Sequence, residues 1–355
     1  MDSSCWLRDL EGGCSCMSWA TRDGKHLWGR NFDFDRIARG TAVTCLPAGT
    51  PYFPGGQEGG GPQLRSRYAA VGTGILLIPG TPVLYEGINE RGLMGGQLYY
   101  REFARFPDQV RPGTLALCPP FAVLHLLGQC AGVEEAVQVL QSEVTLAALP
   151  VLGTVPPLHW AFSDATGEMA VVESDRDGLH IYRRTVGVMT NSPGYPWHRI
   201  NLLNYSGIQA EDRAGRELGG ERLEPCFSGT GAQGLPGDWS SPSRFVRLAF
   251  LRQFAVRGED EEQGVCRLFR LLQSAAFPLG MVRVPETKAA QYDTGVVPYD
   301  YTVYSCTMCA ESLRFYWTTY EGQLPRYVDL HDLRGRTEPV QFALDRKPDF
   351  LCLSR

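Results

Sequence analysis

This sequence of 355 residues contains no long uninterrupted apolar run. Its most apolar stretches, 69–84 and 117–133, are broken by glycine or proline, so neither reads as a membrane span. It has no dense Lys/Arg cluster. With 34 basic and 39 acidic side chains the formal charge is −5, which offers no footprint for nucleic acid. Neither GxxxxGKS/T nor GxGxxG occurs, so a phosphate cradle is not expected, and HExxH is absent too. Histidine is scarce, at six residues, and no local signature ties one of them to a cysteine. Cys306 and Cys309 form a CxxC with no second pair at zinc-finger spacing, so two thiols in or after a strand explain it better than a metal or redox centre. Residues 1–13 include Asp2, Arg8, Asp9 and Glu11 and no apolar core, unlike a secretory signal, so a cytoplasmic protein is expected.

What is present points to a folded, turn-rich chain. Hydrophobic residues make up 43% and charged residues 21%, a composition that rules out a collagen-like or largely disordered protein. Glycine (40) and proline (24) are abundant and favour many strands joined by turns. The 11 cysteines are odd in number and thinly spread, which fits reduced, mostly buried thiols rather than a disulfide framework.

Residues 14–20 and 26–31 flank Arg22-Asp23-Gly24-Lys25, and Asp-Gly supplies the positive φ of a tight hairpin. Further strand pairs are expected at 82–86 with 93–100, and at 158–163 with 169–173. Segments 179–182 and 186–190 continue that series, and 301–306 pairs with 313–319. Residues 46–64 read as a long surface loop. Apolar three-to-four spacing predicts helices over 121–130, 133–141, 242–256 and 265–274. Helices come in groups between runs of hairpins, not in strand–helix alternation. The expected class is therefore α+β, antiparallel sheets covered by helices in one domain.

Gly12-Gly13 precedes Cys14, which opens the first strand. A flexible glycine peptide there is a plausible place for self-cleavage. Cleavage would leave Cys14 with a free α-amine, which ordinarily titrates at about 8 and can serve as base to the thiol of the same residue. A buried strand cysteine after a polar tail is the plainer alternative.

The run 14–33, CSCMSWATRDGKHLWGRNFD, resembles the start of the choloylglycine hydrolase family, which contains bile salt hydrolases and penicillin V acylases and belongs to the N-terminal-nucleophile hydrolases. Further blocks agree in order: EGINERGL at 86–93, PLHW at 157–160, GVMTNSP at 187–193, GLPGD at 234–238, SRFVR at 243–247 and YTVYS at 301–305. The resemblance implies a four-layer αββα sandwich over 14–355, preceded by a propeptide-like head at 1–13. It implies Cys14 as nucleophile, Asp33 holding the freed amine, and Arg30 beside the thiol, where a cation favours thiolate. Asn191 corresponds to the oxyanion-hole asparagine. Tyr99 occupies a position that is often Asn in bile salt hydrolases and Tyr in penicillin V acylases, and Arg244 matches the remaining site arginine. Taken singly, each has a plainer reading. Arg30 and Asp33 make a hairpin ion pair, Asn191 a turn, Tyr99 a sheet aromatic and Arg244 a helix-surface residue. Cys16, two residues on, is the rival nucleophile.

The implied reaction is hydrolysis of a linear amide bearing an apolar acyl group, with no metal and no cofactor. Tyr99 and the 188–193 block lean toward penicillin V acylase. Bile salt hydrolysis is the alternative, followed by N-acyl homoserine lactone acylase and a non-catalytic thiol-rich binding protein. The acyl pocket is expected from 46–64 and 100–107. Relatives are commonly homotetramers, an assembly that the sequence leaves open.

Overall fold

The computed structural model describes residues 13–56, 61–76, 81–151, 153–283, 293–294, 298–345 and 347–354. Its first hairpin joins β1 (Gly13–Ala20) to β2 (His26–Phe34) through a turn in which Gly24 has φ +87°, as the Asp-Gly pair demands. The strands that follow are β3 (Ala42–Leu46), β4 (Ala70–Ile75), β5 (Val83–Asn89), β6 (Met94–Tyr99), β7 (Leu158–Ser163), β8 (Met169–Asp175) and β9 (Gly178–Tyr182). They continue with β10 (Val188–Met189), β11 (Val282–Arg283), β12 (Tyr299–Cys309), β13 (Arg314–Thr319), β14 (Arg326–Asp329) and β15 (Val340–Ala343). Sheet I has the order β10-β1-β2-β12-β13-β14, with β11 also pairing to β12. Sheet II has the order β9-β8-β7-β6-β5-β4-β3-β15. Pairing is antiparallel throughout both sheets.

The five α-helices of the described residues cover the outer faces: α1 (Ala122–Gln129), α2 (Val133–Gln138), α3 (Tyr195–Asn201), α4 (Ser241–Phe254) and α5 (Glu261–Gln273). Helices α4 and α5 close on sheet I, where Phe245, Leu248, Leu268 and Leu272 join Met17, Leu27 and Met308 in one core. Helices α1 and α2 close on sheet II, where Leu124, Leu127 and Val133 pack with Leu84, Trp160 and Phe162 in a second core. The α5 amino end is capped by Asp260, whose carboxylate accepts from the Gln263 amide at 2.9 Å, with Glu261 and Glu262 in the first turn where negative charge is favourable. The αββα order follows from period-2 strands with two apolar faces each, one turned to the other sheet and one to helices.

Three expectations change. The segment around 186–190 does not extend the β7–β9 series: Val188–Met189 crosses to sheet I and pairs with β1. Residues 46–64 are not wholly a surface loop, because Pro51–Tyr52 pairs with Leu64–Arg65 and the buried Tyr52 hydroxyl meets His125 at 2.9 Å. The second helix stops at Gln138, and a wider turn over Val139–Glu143 follows it. Cys306 and Cys309 both lie buried in β12. Among the described residues the cysteines are free, seven buried and three exposed, and Cys5 lies outside them. No helix of the described residues is long and apolar enough to cross a membrane.

The two sheets approach closely where Trp28 of β2, fully buried, lies over Gly96 of β6; a Cβ at 96 would stand 3.1 Å from the indole and 2.6 Å from Glu86. Trp28→Ala is expected to cost about 3–5 kcal/mol in urea unfolding through the cavity it leaves.

Candidate active site

The β1–β2 register sets Gly13 opposite Asp33 and Cys14 opposite Phe32. Strand alternation then puts Cys14, Arg30 and Phe32 on the face of sheet I that meets sheet II. Asp33 takes the other face, where the Thr302 hydroxyl donates to its Oδ1 at 2.5 Å.

Around Cys14 the structure gathers most of the predicted residues. Arg30 Nη2 donates to Cys14 Sγ at 2.9 Å. The Cys14 amide donates to Asn191 Oδ1 at 2.8 Å, and Arg244 Nη2 donates to the same oxygen at 2.7 Å. Arg244 Nη1 donates to the Cys14 carbonyl at 2.6 Å and to Ser15 Oγ at 2.7 Å. Asn191 Nδ2 donates to the Tyr99 carbonyl at 2.9 Å. Tyr99 therefore reaches the cluster through its main chain, while its ring stacks on Phe34 with centroids 5.9 Å apart. Asp33 Oδ2 is buried and accepts no hydrogen bond among the described residues, although Arg244 Nη1 stands 4.0 Å away. A Cβ at Gly13 would lie 2.6 Å from the Phe277 ring, so the residue before Cys14 sits where a side chain has no room.

Burial decides the ionisation. It pushes the Cys14 thiol above its ordinary range, Arg30 pulling it down and Asp33 pushing it further up. Arg30 acts in the direction expected from the sequence, favouring thiolate, while desolvation of the buried thiol acts against it. Burial likewise pushes Asp33 up to about 7, against Arg244, Thr302 and Arg30. Cys16 is pushed up to about 12 by burial, and the guanidinium bond goes to Cys14 instead.

Several contributors lie outside the sequence reading. Glu86 of β5 is fully buried and accepts from Arg30 Nη1 at 2.9 Å. It heads the 86–93 block, and its sequence signal is a lone carboxylate inside a largely apolar strand. His198, held neutral because burial lowers its pKa to about 4, donates Nε2–H to the Asn191 carbonyl at 3.0 Å. The buried Glu173 carboxylate receives the Tyr195 amide at 3.0 and 3.1 Å, which ties down the far end of the Asn191 loop. Neither residue carries a local signature.

Rings from three strands stand beside the site. Half-buried Phe32, Phe34, Tyr85 and Tyr99 line up beside the site, with Phe32 stacked 4.9 Å from buried Tyr304 and 5.7 Å from Tyr85. Tyr52 and Phe53 of the 46–64 segment pack instead near His125 and Thr81. In 100–107, buried Tyr100 stacks on His159 at 4.6 Å, and Phe106 meets Trp160 edge to face at 6.1 Å.

A thiol, its own main-chain nitrogen and an amide donor in one cluster suit acyl transfer. The model of the linear amide C–N hydrolases, choloylglycine hydrolase family, matches residues 14–335. The chain belongs to that family. As a choloylglycine hydrolase family member it is a hydrolase of linear amides, which sets aside the non-catalytic thiol-binding alternative. It is 29% identical to a bile salt hydrolase/transferase of Clostridium perfringens over 90% of this chain and 92% of that one. A structure of a conjugated bile acid hydrolase variant from the same organism superposes with a TM-score of 0.84 at 27% identity, covering 96% of this chain and all of that one (100%). A penicillin V acylase from Agrobacterium tumefaciens, 21% identical over 90% of this chain and 86% of that one, shares the fold with a TM-score of 0.68. The N-terminal-nucleophile αββα fold expected from the sequence is the fold observed.

A carboxyl raised on folding from 3.8 to about 7 binds its proton more tightly in the native state, so that contribution to stability is lost as pH climbs from about 4 to about 7. The Cys14→Ala chain is expected to show this decline in urea titrations, and adding Asp33→Asn is expected to flatten it.

Proposed function

We propose that this protein hydrolyses the amide of conjugated bile salts, with Cys14 as nucleophile and base in one residue once the Gly13–Cys14 bond has been cut. The observation that carries the reading is the open acceptor, Asp33 Oδ2, buried one register position from the Cys14 nitrogen. A buried carboxylate oxygen without a donor is costly, and the ammonium released by cleavage supplies one. In the cut itself, Sγ adds to the Gly13 carbonyl carbon, the C–N bond breaks as nitrogen takes the thiol proton, and water hydrolyses the resulting thioester.

In turnover, the Cys14 amine takes the thiol proton, and thiolate attacks the substrate carbonyl. Arg30, hydrogen-bonded to sulfur, stabilises the thiolate once cleavage opens the site to water. Asn191 Nδ2 uses one hydrogen on the Tyr99 carbonyl and has a second for the oxyanion. Collapse expels the substrate amine, which leaves with a proton from the Cys14 ammonium. Water, deprotonated by the same amine, then releases the acid. Arg244 holds both Cys14 and Asn191 in register.

Bile salts come first because of the bile salt hydrolase/transferase relative, similar over 92% of its length. This reverses the order that Tyr99 and the 188–193 block suggested, which put penicillin V ahead. The half-buried rings Phe32, Phe34, Tyr85 and Tyr99 form an apolar wall suited to a large acyl group. For assembly, Trp197, Ile200 and Leu203, exposed by 46%, 61% and 72%, make an apolar stripe on α3 and the turn after it that supports a homotetramer contact. Leu203→Glu is expected to lower the mass seen by light scattering.

Glycocholate, taurocholate and penicillin V assayed in parallel test the substrate, and faster turnover of penicillin V would reverse the assignment. Cys14→Ala is expected to abolish both processing and turnover, Cys16→Ala to retain activity, and Asn191→Ala to lower kcat by about 10²–10³-fold. An active enzyme whose chain still begins before Cys14 would contradict the mechanism.

A further inference from the structure

The mechanism uses Arg30 but leaves its counter-ion idle. Glu86 of sheet II and Arg30 of sheet I, exposed by 0% and 1%, meet across the boundary between the sheets. One edge of the guanidinium, Nη2, donates to Cys14 Sγ at 2.9 Å. The other, Nη1, donates to Glu86 Oε2 at 2.9 Å and to the Gln97 carbonyl at 2.9 Å. The Tyr304 hydroxyl stands 3.0 Å from both Glu86 oxygens. Thiol, cation, carboxylate and phenol thus form a continuous line from β1 to β12.

We propose that Glu86 is a positioning residue that shares Arg30 with the Cys14 thiolate, holding the guanidinium against sulfur while withholding part of its charge, and so sets the pH at which Cys14 ionises. The inference rests on the reading of Cys14 as nucleophile.

With Glu86 ionised and Cys14 protonated, the buried trio is neutral. Forming thiolate gives the trio a net negative charge, and Glu86, on the buried side of Arg30, is screened little by the water that cleavage admits to sulfur. Two anions compete for one cation, so their ionisations are coupled. A neutral isostere at 86 would leave Arg30 entirely to sulfur and make thiolate easier to form.

Other titratable groups surround the pair. Cys16 and, once freed, the Cys14 α-amine lie on β1, Asp33 on β2, Tyr85 on β5, Tyr99 on β6, Tyr304 and Cys306 on β12, and Arg244 on α4; the α-amine is common to all three proteins compared below. Asp33 raises the thiol and Arg244 lowers it. Arg244 is already engaged by the Cys14 carbonyl, Ser15 and Asn191, which leaves Glu86 as the charge bound directly to the thiol's own cation.

The test is the pH dependence of iodoacetamide alkylation at Cys14, located by peptide mass mapping, in processed wild type, Glu86→Gln and Glu86→Asp. Glu86→Gln is expected to move the midpoint down by about one pH unit, a tenfold change in the thiolate ratio. Glu86→Asp, with its charge drawn back by one methylene, is expected to move it the same way by less, and it serves alone if the glutamine variant does not fold. A purely structural role would lower the melting temperature without moving either midpoint; unmoved midpoints with fast alkylation at Cys14 overturn this proposal alone. Fastest alkylation elsewhere overturns the nucleophile assignment, and this proposal with it.

Discussion

A buried guanidinium is the constraint around which this molecule is arranged. Arg30 sits between two sheets where water does not reach, and an unpartnered cation there destabilises the fold by on the order of several kcal/mol; both of its terminal nitrogens are bonded, while Nε has no partner among the described residues. Its partners come from both sheets: sulfur from β1, and carboxylate and carbonyl from β5 and β6. The sheet interface that gives stability is therefore the same contact that fixes the cation beside the thiol. Close approach at Trp28 and Gly96 brings the sheets near enough for that bridge.

With the Gly13–Cys14 bond intact, burial pushes the Cys14 thiol above its ordinary range and lifts Asp33 to about 7. Under the proposed mechanism one bond scission changes this. It supplies an ammonium to the open oxygen of Asp33, exposes sulfur and turns the Cys14 nitrogen from an amide donor into a base. Asn191 accepts the Cys14 amide and has one N–H beyond that given to the Tyr99 carbonyl, which the same mechanism assigns to the oxyanion. The close fit of Gly13 against Phe277 shows why a side chain at that position would clash.

Much of this was legible in the sequence where the signal is local. Asp23-Gly24 announces its hairpin because few residues tolerate the φ that the turn requires, and the β1–β2 pairing carries Cys14, Arg30 and Asp33 with it. The helices showed through their periodicity. What stayed hidden depends on contacts between distant segments. Val188–Met189 is too short to show a period, so its crossing to β1 had no local trace. Tyr52 is buried inside a Gly/Pro-rich run because α1 covers it, a tertiary effect. Tyr99 was expected at the site for its side chain, yet the cluster binds its carbonyl. Glu86, His198 and Thr302 act across gaps of 56, 7 and 269 residues from their partners, and no spacing rule links them.

The central claim is that the acyl group passes through the sulfur of an amino-terminal Cys14. Acid quenching during turnover of a slowly deacylating amide, followed by peptide mass mapping, tests it most directly. The account predicts an acyl mass on a peptide whose first residue is Cys14, attached through sulfur. An acyl group on another residue, or on Cys14 still joined to Gly13, would contradict it.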